Sequence, residues 1–284
     1  MPSPILSVEP IQCCGGRLEV RGYPASTDNL VWFATCTATG ITALIDGPDD
    51  DRPLEQFQQA TGRNPNLVLH THGHGDHIGV QVTLARRGLR PPTFGAAELE
   101  GRVPALTQAV DEGDRVFIGD VAGWVWRTEG HVNGHLSFLF GDALFCGDTL
   151  FAGGCGYLFD GPPTTMFQSL LRLATLPPAT RVFCAHEYTE DNLLFARSVE
   201  PSNPALARRW AETVDRRGRG ECTLPSTIDE ERRTNPFLRP GSSEIATTVG
   251  EFDAHVDPAD PAQVFAAIRR LKDTKRYRAL PPTA

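Results

Sequence analysis

Short apolar runs separated by turn clusters fill the first half of the chain. Residues 30–36 and 41–45 read as two strands joined by a turn at Thr39-Gly40, and residues 67–70 as a third, short buried strand. Residues 121–128 and 136–140 read as the opening of a second sheet. Helical periodicity falls between the strands at residues 82–87 and 164–176, the latter with Met166, Leu170 and Leu173 on one face. From about Glu187 the pattern turns helical. Asn203-Pro204 is a capping residue followed by proline, after which Leu206, Trp210 and Val214 recur every four residues. Ser226 before Asp229, or Thr227 before Glu230, marks another helix start behind Pro225. Asp260-Pro261 marks a third, with Val264, Ile268 and Leu271 as its buried stripe. These patterns predict a βα-layered domain over residues 1–187 and a helical domain over residues 188–284, with no internal repeat.

The length of 284 residues allows one large domain or two modest ones, and 40% apolar with 22% charged residues is a globular composition. The 27 glycines and 23 prolines favour turns and short strands over long helical bundles. A net charge of −8 repels a phosphate backbone, so no nucleic-acid partner is expected. No apolar window approaches the ~18 residues of a membrane span, and the first residues, MPSPILSVEPIQ, carry neither a basic nor an apolar leader segment. A soluble cytoplasmic protein is the expectation. Cysteines 13, 14, 36, 146, 155, 184 and 222 are odd in number and form no CxxC pair, which reads as reduced, structural thiols.

The histidines change the picture. Of eight, seven lie between residues 70 and 186, four of them in the run His70-Thr71-His72-Gly73-His74-Gly75-Asp76-His77. Neutral imidazole is the commonest metal ligand in proteins and is seldom chosen for a dry core. On extended backbone His72 and His74 point to one side, while Asp76 and His77 come from the next turn and face a second position. A solvated histidine-rich loop is the plain alternative. Against it stand His131 in Gly130-His131-Val132-Asn133-Gly134-His135, Asp148 in Gly147-Asp148-Thr149-Leu150-Phe151, and His186 in Cys184-Ala185-His186-Glu187-Tyr188-Thr189, each beside an apolar run. No G-x-S-x-G elbow occurs, and Gly73, Gly75 and Gly79 do not form a dinucleotide-binding loop. Cys146, Cys155 and Cys184 read as small buried fillers rather than nucleophiles. On the last helix Arg269 and Lys272 flank the buried stripe, either to receive a carboxylate or to complement the helix C-terminus.

The motifs T-H-x-H-x-D-H at 71–77, G-H-x-x-G-H at 130–135, G-D-T-L-F at 147–151 and C-x-H-E-Y-T at 184–189 resemble the metallo-β-lactamase superfamily, and more narrowly glyoxalase II, the hydroxyacylglutathione hydrolases. Residues 152–161, 191–201, 235–239 (NPFLR) and 269–273 extend the likeness over most of residues 28–275. The resemblance implies an α/β fold: a four-layer αββα sandwich with a C-terminal helical domain. It implies two divalent cations, zinc foremost with iron and manganese as alternatives. His72, His74 and His131 would hold one, Asp76, His77 and His186 the other, with Asp148 bridging. Asp76 and Asp148 become the catalytic carboxylates. Arg269, Lys272 and Tyr188 become contacts to a glutathione moiety, with Tyr157 a fourth where the family carries lysine or arginine. Val80 and Gly75 also depart from the family pattern. His135 is left as a supporting residue, His70 without an implied ligand role, and His255 on the surface.

The implied activity is metal-dependent thioester hydrolysis of S-(2-hydroxyacyl)glutathione, of the S-lactoylglutathione type, in methylglyoxal detoxification. A mononuclear iron persulfide dioxygenase, a lactonase and a non-catalytic zinc-stabilised module are the competing expectations. The sequence implies no oligomeric state.

Overall fold

The computed structural model describes residues 6, 8–103 and 105–279. Residues 1–5 and 7, on which the expectation about a leader mostly rests, and the last five residues of the helical part lie outside the described residues.

A first sheet runs in chain order through β1 (Val8–Cys13), β2 (Leu18–Ala25), β3 (Asn29–Cys36), β4 (Thr42–Ile45), β5 (Leu67–Leu69), β6 (Thr93–Gly95) and β7 (Leu106–Ala109). It is antiparallel up to β4 and parallel from there to β7. Helix α1 (Arg52–Thr61) and the short α2 (Gly75–Ile78) and α3 (Val80–Arg86) fill the parallel connections. The second sheet takes β8 (Arg115–Ile118), β9 (Val121–Arg127), β10 (Leu136–Phe140) and β11 (Ala143–Gly147). A separate two-strand hairpin, β12 (Leu150–Phe151) with β13 (Gly154–Cys155), follows. The chain returns through α4 (Pro163–Leu173) to β14 (Arg181–Cys184), which lies parallel to β11.

Alternation along β3 explains the layers. Leu30, Trp32, Ala34 and Cys36 turn into the core between the sheets, and Val31 and Phe33 turn outward to a second core under α1 and α3. Trp32 meets Phe183 of β14 edge-on at 5.0 Å and donates its indole N–H to the Cys184 carbonyl at 2.8 Å. On the outer side Phe33 stacks on Phe57 of α1 at 4.2 Å. Met166, Leu170 and Leu173 of α4 are buried, as their spacing predicts. This is the αββα sandwich.

The remaining chain is α5 (Thr189–Val199), α6 (Pro204–Gly218), the two-residue strand β15 (Ser226–Thr227), α7 (Ile228–Thr234), α8 (Ser243–Phe252) and α9 (Pro261–Asp273). The predicted caps form: Asn203 accepts from the N–H of Ala205 and Leu206, Thr227 from Glu230, and Asp260 from Ala262 and Gln263. One stripe differs. On α6 Leu206 is buried but Val214 is 42% exposed, and Arg209, Thr213 and Arg217 face inward instead. The cause is polar: Arg209 is drawn to Glu231 (2.6 Å) and Thr234 (2.6 Å) on α7.

The helices are not a detached body. β15 adds to the edge of the second sheet beside β14, and Phe265 of α9 stacks on Phe167 of α4 at 5.2 Å. All seven cysteines are free thiols, every one buried except the half-buried Cys14. Among the described residues no helix is long and apolar enough to cross a membrane.

Candidate metal centre

Four loops, following β5, β9, β11 and β14, deliver the histidine and aspartate motifs to one place. Close approach requires glycine at Gly147, whose φ is +45° and where a Cβ would stand 2.3 Å from the Thr71 hydroxyl. It requires glycine again at Gly156, where a Cβ would stand 2.1 Å from the Asp148 carbonyl and 2.9 Å from His131 Nδ1.

Two groups of donor atoms result. His72, His74, His131 and Asp148 place one ligand atom each within 4.8 Å of one another, and Asp76, His77 and His186 do the same beside them. His74 Nδ1 lies 3.0 Å from both His72 Nε2 and His131 Nε2, and Asp148 Oδ2 lies 3.5 Å from His131 Nε2. Asp148 Oδ1 turns to the other group, 3.4 Å from His77 Nε2 and 3.5 Å from His186 Nε2. Asp76 Oδ2 completes that group at 3.6 Å from His77 Nε2 and 3.3 Å from His186 Nε2. A four-coordinate cation with bonds of ~2.1 Å sets its ligand atoms roughly 3.4 Å apart. These separations match that spacing. His77 Nε2 and Asp148 Oδ1 are also buried with no hydrogen-bond partner, which a protein tolerates where a cation can satisfy them. The residues therefore fit a pair of divalent cations, with the Asp148 carboxylate facing both positions.

An outer layer turns the rings. His72 Nδ1 donates to the Thr71 hydroxyl (3.1 Å), which itself donates to Asp46 Oδ2 (2.6 Å). His77 Nδ1 donates to Asp46 Oδ2 (3.0 Å), His131 Nδ1 to the Tyr157 carbonyl (2.7 Å) and His186 Nδ1 to Asp28 Oδ1 (2.9 Å). In each of these four rings Nε2 is left facing inward, and only His74 presents Nδ1. Asn29 Nδ2 donates to Asp76 Oδ2 at 3.0 Å. Sequence reasoning missed Asp28, Asn29 and Asp46. The one available signal was Asp46-Gly47, a carboxylate directly after the apolar run Ala43-Leu44-Ile45.

Charge follows burial and partners. Burial, with His77, His135, His131 and His74 around it, holds His72 well below the usual imidazole range, and burial likewise lowers His131. Burial opposes charge on His186, yet Asp148, Asp28 and Asp76 push it up to about 10. Burial works against ionisation of Asp46 too, but the His77 ring, which is hydrogen-bonded to it, and the His70 ring 3.5 Å away hold it below the usual carboxylate range.

The other residues singled out from sequence lie as follows. His135 is fully buried: its Nε2 accepts from the Asp148 N–H (3.2 Å) and its ring stacks on His72 at 4.8 Å. His70 is buried against Gln81 (2.8 Å), and His255 is exposed. Tyr188 lies parallel to the His186 ring at 4.8 Å. The Tyr157 side chain is half exposed and packs on Phe159, whose ring stands edge-on to His74 (5.0 Å) and His131 (5.3 Å). Phe159 is a further member of this wall that sequence reasoning missed. Arg269 is buried, donating to the Cys155 carbonyl (3.0 Å) and pairing with Asp273 (2.6 Å). Lys272 donates to Asn192 Oδ1, and burial together with Arg269 pushes its ammonium down to about 8.

Comparison with known proteins agrees with this geometry. Residues 85–186 match the family model described as the metallo-beta-lactamase superfamily, and residues 187–275 match hydroxyacylglutathione hydrolase C-terminus. Hydroxyacylglutathione hydrolase of Rippkaea orientalis is 39% identical over 264 residues, spanning 90% of this chain and 100% of its own. That of Methylococcus capsulatus is 41% identical over 261 residues, spanning 91% and 99%. Among solved structures, ETHE1 from Myxococcus xanthus shares the fold at a TM-score of 0.59 and 23% identity, over 90% of this chain and 98% of its own. The chain belongs to the hydroxyacylglutathione hydrolase family, within the metallo-β-lactamase superfamily.

Proposed function

We propose that this chain hydrolyses S-(2-hydroxyacyl)glutathione, of the S-lactoylglutathione type, to glutathione and a 2-hydroxy acid. The observation that carries the reading is the inward-facing donor set: five imidazoles and two carboxylates gathered from four loops, with four of the rings oriented from behind by Thr71, Asp46, Asp28 and the Tyr157 carbonyl.

His72, His74 and His131 would hold one cation and Asp76, His77 and His186 the other, with Asp148 shared. Zinc suits this donor set, and iron or manganese are the other ions it accommodates. When bound, such a pair supplies Lewis acidity and brings the pKa of water from about 15.7 toward ~7. The remaining work belongs to the chain. Asp76 orients the attacking water, held in turn by Asn29. Asp148 keeps the two positions in register. Water adds its oxygen to the thioester carbonyl carbon, the carbon–sulfur bond breaks with its electron pair leaving on sulfur as thiolate, and of the water's two protons one passes to solvent and one to the departed thiolate. A thiol with a pKa near ~8.5 leaves with little help from an acid.

Tyr157 and Tyr188 flank the acyl and peptide parts of the substrate. Lys272, beside Arg269, receives a carboxylate of glutathione, while Arg269 holds the hairpin at Cys155. On this reading residues 1–187 carry the reaction and 188–284 the substrate's thiol half. The free cysteines suit a reducing cytoplasm, and the proposed reaction suits a role in methylglyoxal detoxification.

The test is metal analysis coupled to release of free thiol from S-lactoylglutathione. A pair of metal ions per chain with thiol release is expected. The same metal content without thiol release would reject the substrate, and oxygen uptake with a glutathione persulfide would favour the dioxygenase.

A further inference from the structure

The hairpin β12–β13 is held by four side chains from the helical part. Asn235 Nδ2 donates to the carbonyls of Phe151 (3.3 Å) and Gly154 (2.9 Å) and to Glu231 Oε2 (2.9 Å). Glu231 Oε2 also accepts the Gly153 N–H (2.8 Å), and its other oxygen is fixed by Arg209 (2.6 Å) and the Ser226 hydroxyl. Asn192 Nδ2 donates to the Ala152 carbonyl (3.0 Å), and Arg269 to that of Cys155 (3.0 Å). Glu231 and Asn235 are fully buried. A buried ion pair stabilises a fold no better than apolar packing would, so this network is better explained by the position it specifies.

That position is next to the metal centre. The hairpin begins two residues after Asp148. Its return strand leads to Gly156, packed on the Asp148 carbonyl and the His131 ring, and then to the Tyr157 carbonyl, which accepts from His131 Nδ1 at 2.7 Å. We infer that Asn235 and Glu231 are positioning residues: from the helical part they fix the hairpin so that Asp148 and His131 keep the spacing that binds metal. The inference rests on the two-cation reading above.

The test is titration of the metal-stripped full chain with Co2+, followed by visible absorption and by competition with a chelating dye. Asn235→Ala is compared with Asn203→Ala, which removes an amide in the same helical region without touching the hairpin. Asn235→Ala is expected to lose about tenfold or more in Co2+ affinity and to change the visible spectrum, with unchanged far-ultraviolet circular dichroism, while Asn203→Ala stays within about twofold of the parent. A folded Asn235→Ala with the parent's affinity and spectrum overturns the inference, as does an equal loss in Asn203→Ala. If Asn235→Ala does not fold, Glu231→Gln, which keeps shape and removes the charge, decides by the same readout. Failure of the parent itself to take up Co2+ would reject the two-cation reading instead.

Discussion

Asp46 shows how far a buried carboxylate reaches without touching a reacting atom. It accepts from the Thr71 N–H and hydroxyl and from His77 Nδ1, so it sets the orientation of two proposed ligand rings at once. Asp46→Asn would offer His77 an amide in place of a carboxylate. Metal affinity at the His77 position and turnover should each fall by about 10–100-fold, measured by competition with a chelating dye and as kcat. Lys272 gives a second prediction. Its ammonium is pushed down to about 8, so its charge is present below that pH and lost above it. KM for the glutathione thioester should rise as pH climbs past 8 while kcat stays flat, and Lys272→Arg should abolish the rise. The donor residues were legible in the sequence because few other roles gather histidines in this way. Asp46 and Asp28 were not, because a carboxylate at the end of a strand looks like any turn residue until the ring it supports is in view.

At the level of elements, capping chemistry was legible and packing faces less so. The starts of α6, α7 and α9 follow from side-chain oxygens that need only their own next residues. Val214 failed because α6 turns toward a partner, Glu231, that lies 17 residues further along the chain. The outer strands β1 and β7 escaped notice because their exposed faces dilute the apolar signal. Asn203→Ala should cost ~1 kcal/mol through loss of the α6 cap, lowering Tm by roughly 2–4 °C at unchanged kcat. Gly156→Ala should act the other way round. A methyl group meeting the Asp148 carbonyl displaces the loop, so metal binding drops while circular dichroism is retained.

For the whole molecule, the apolar core between the sheets and under the helices is extensive without any contribution from the metal centre. Removing metal with a chelator should therefore abolish turnover and leave the far-ultraviolet circular dichroism in place; a collapse of the fold on chelation would favour a zinc-stabilised module. The change from mixed to helical pattern near residue 187 was legible, but not the return of β15 to the second sheet, since a two-residue strand has no periodicity to read. A chain ending at residue 187 would bare the edge of β14 and the Phe167 ring, and it should be recovered as aggregate rather than as a monomer, as sizing chromatography would show.

The concealment of the cysteines has a consequence for an enzyme that liberates a thiol at every turnover. Burial pushes Cys13 and Cys184 up to about 12 and raises Cys146, Cys155 and Cys222 as well, so thiolate, the species that attacks a disulfide, is scarce at these positions. Glutathione leaves as a thiol, and oxidised glutathione formed from it elsewhere would find little thiolate to capture at these five buried positions, which should resist S-glutathionylation.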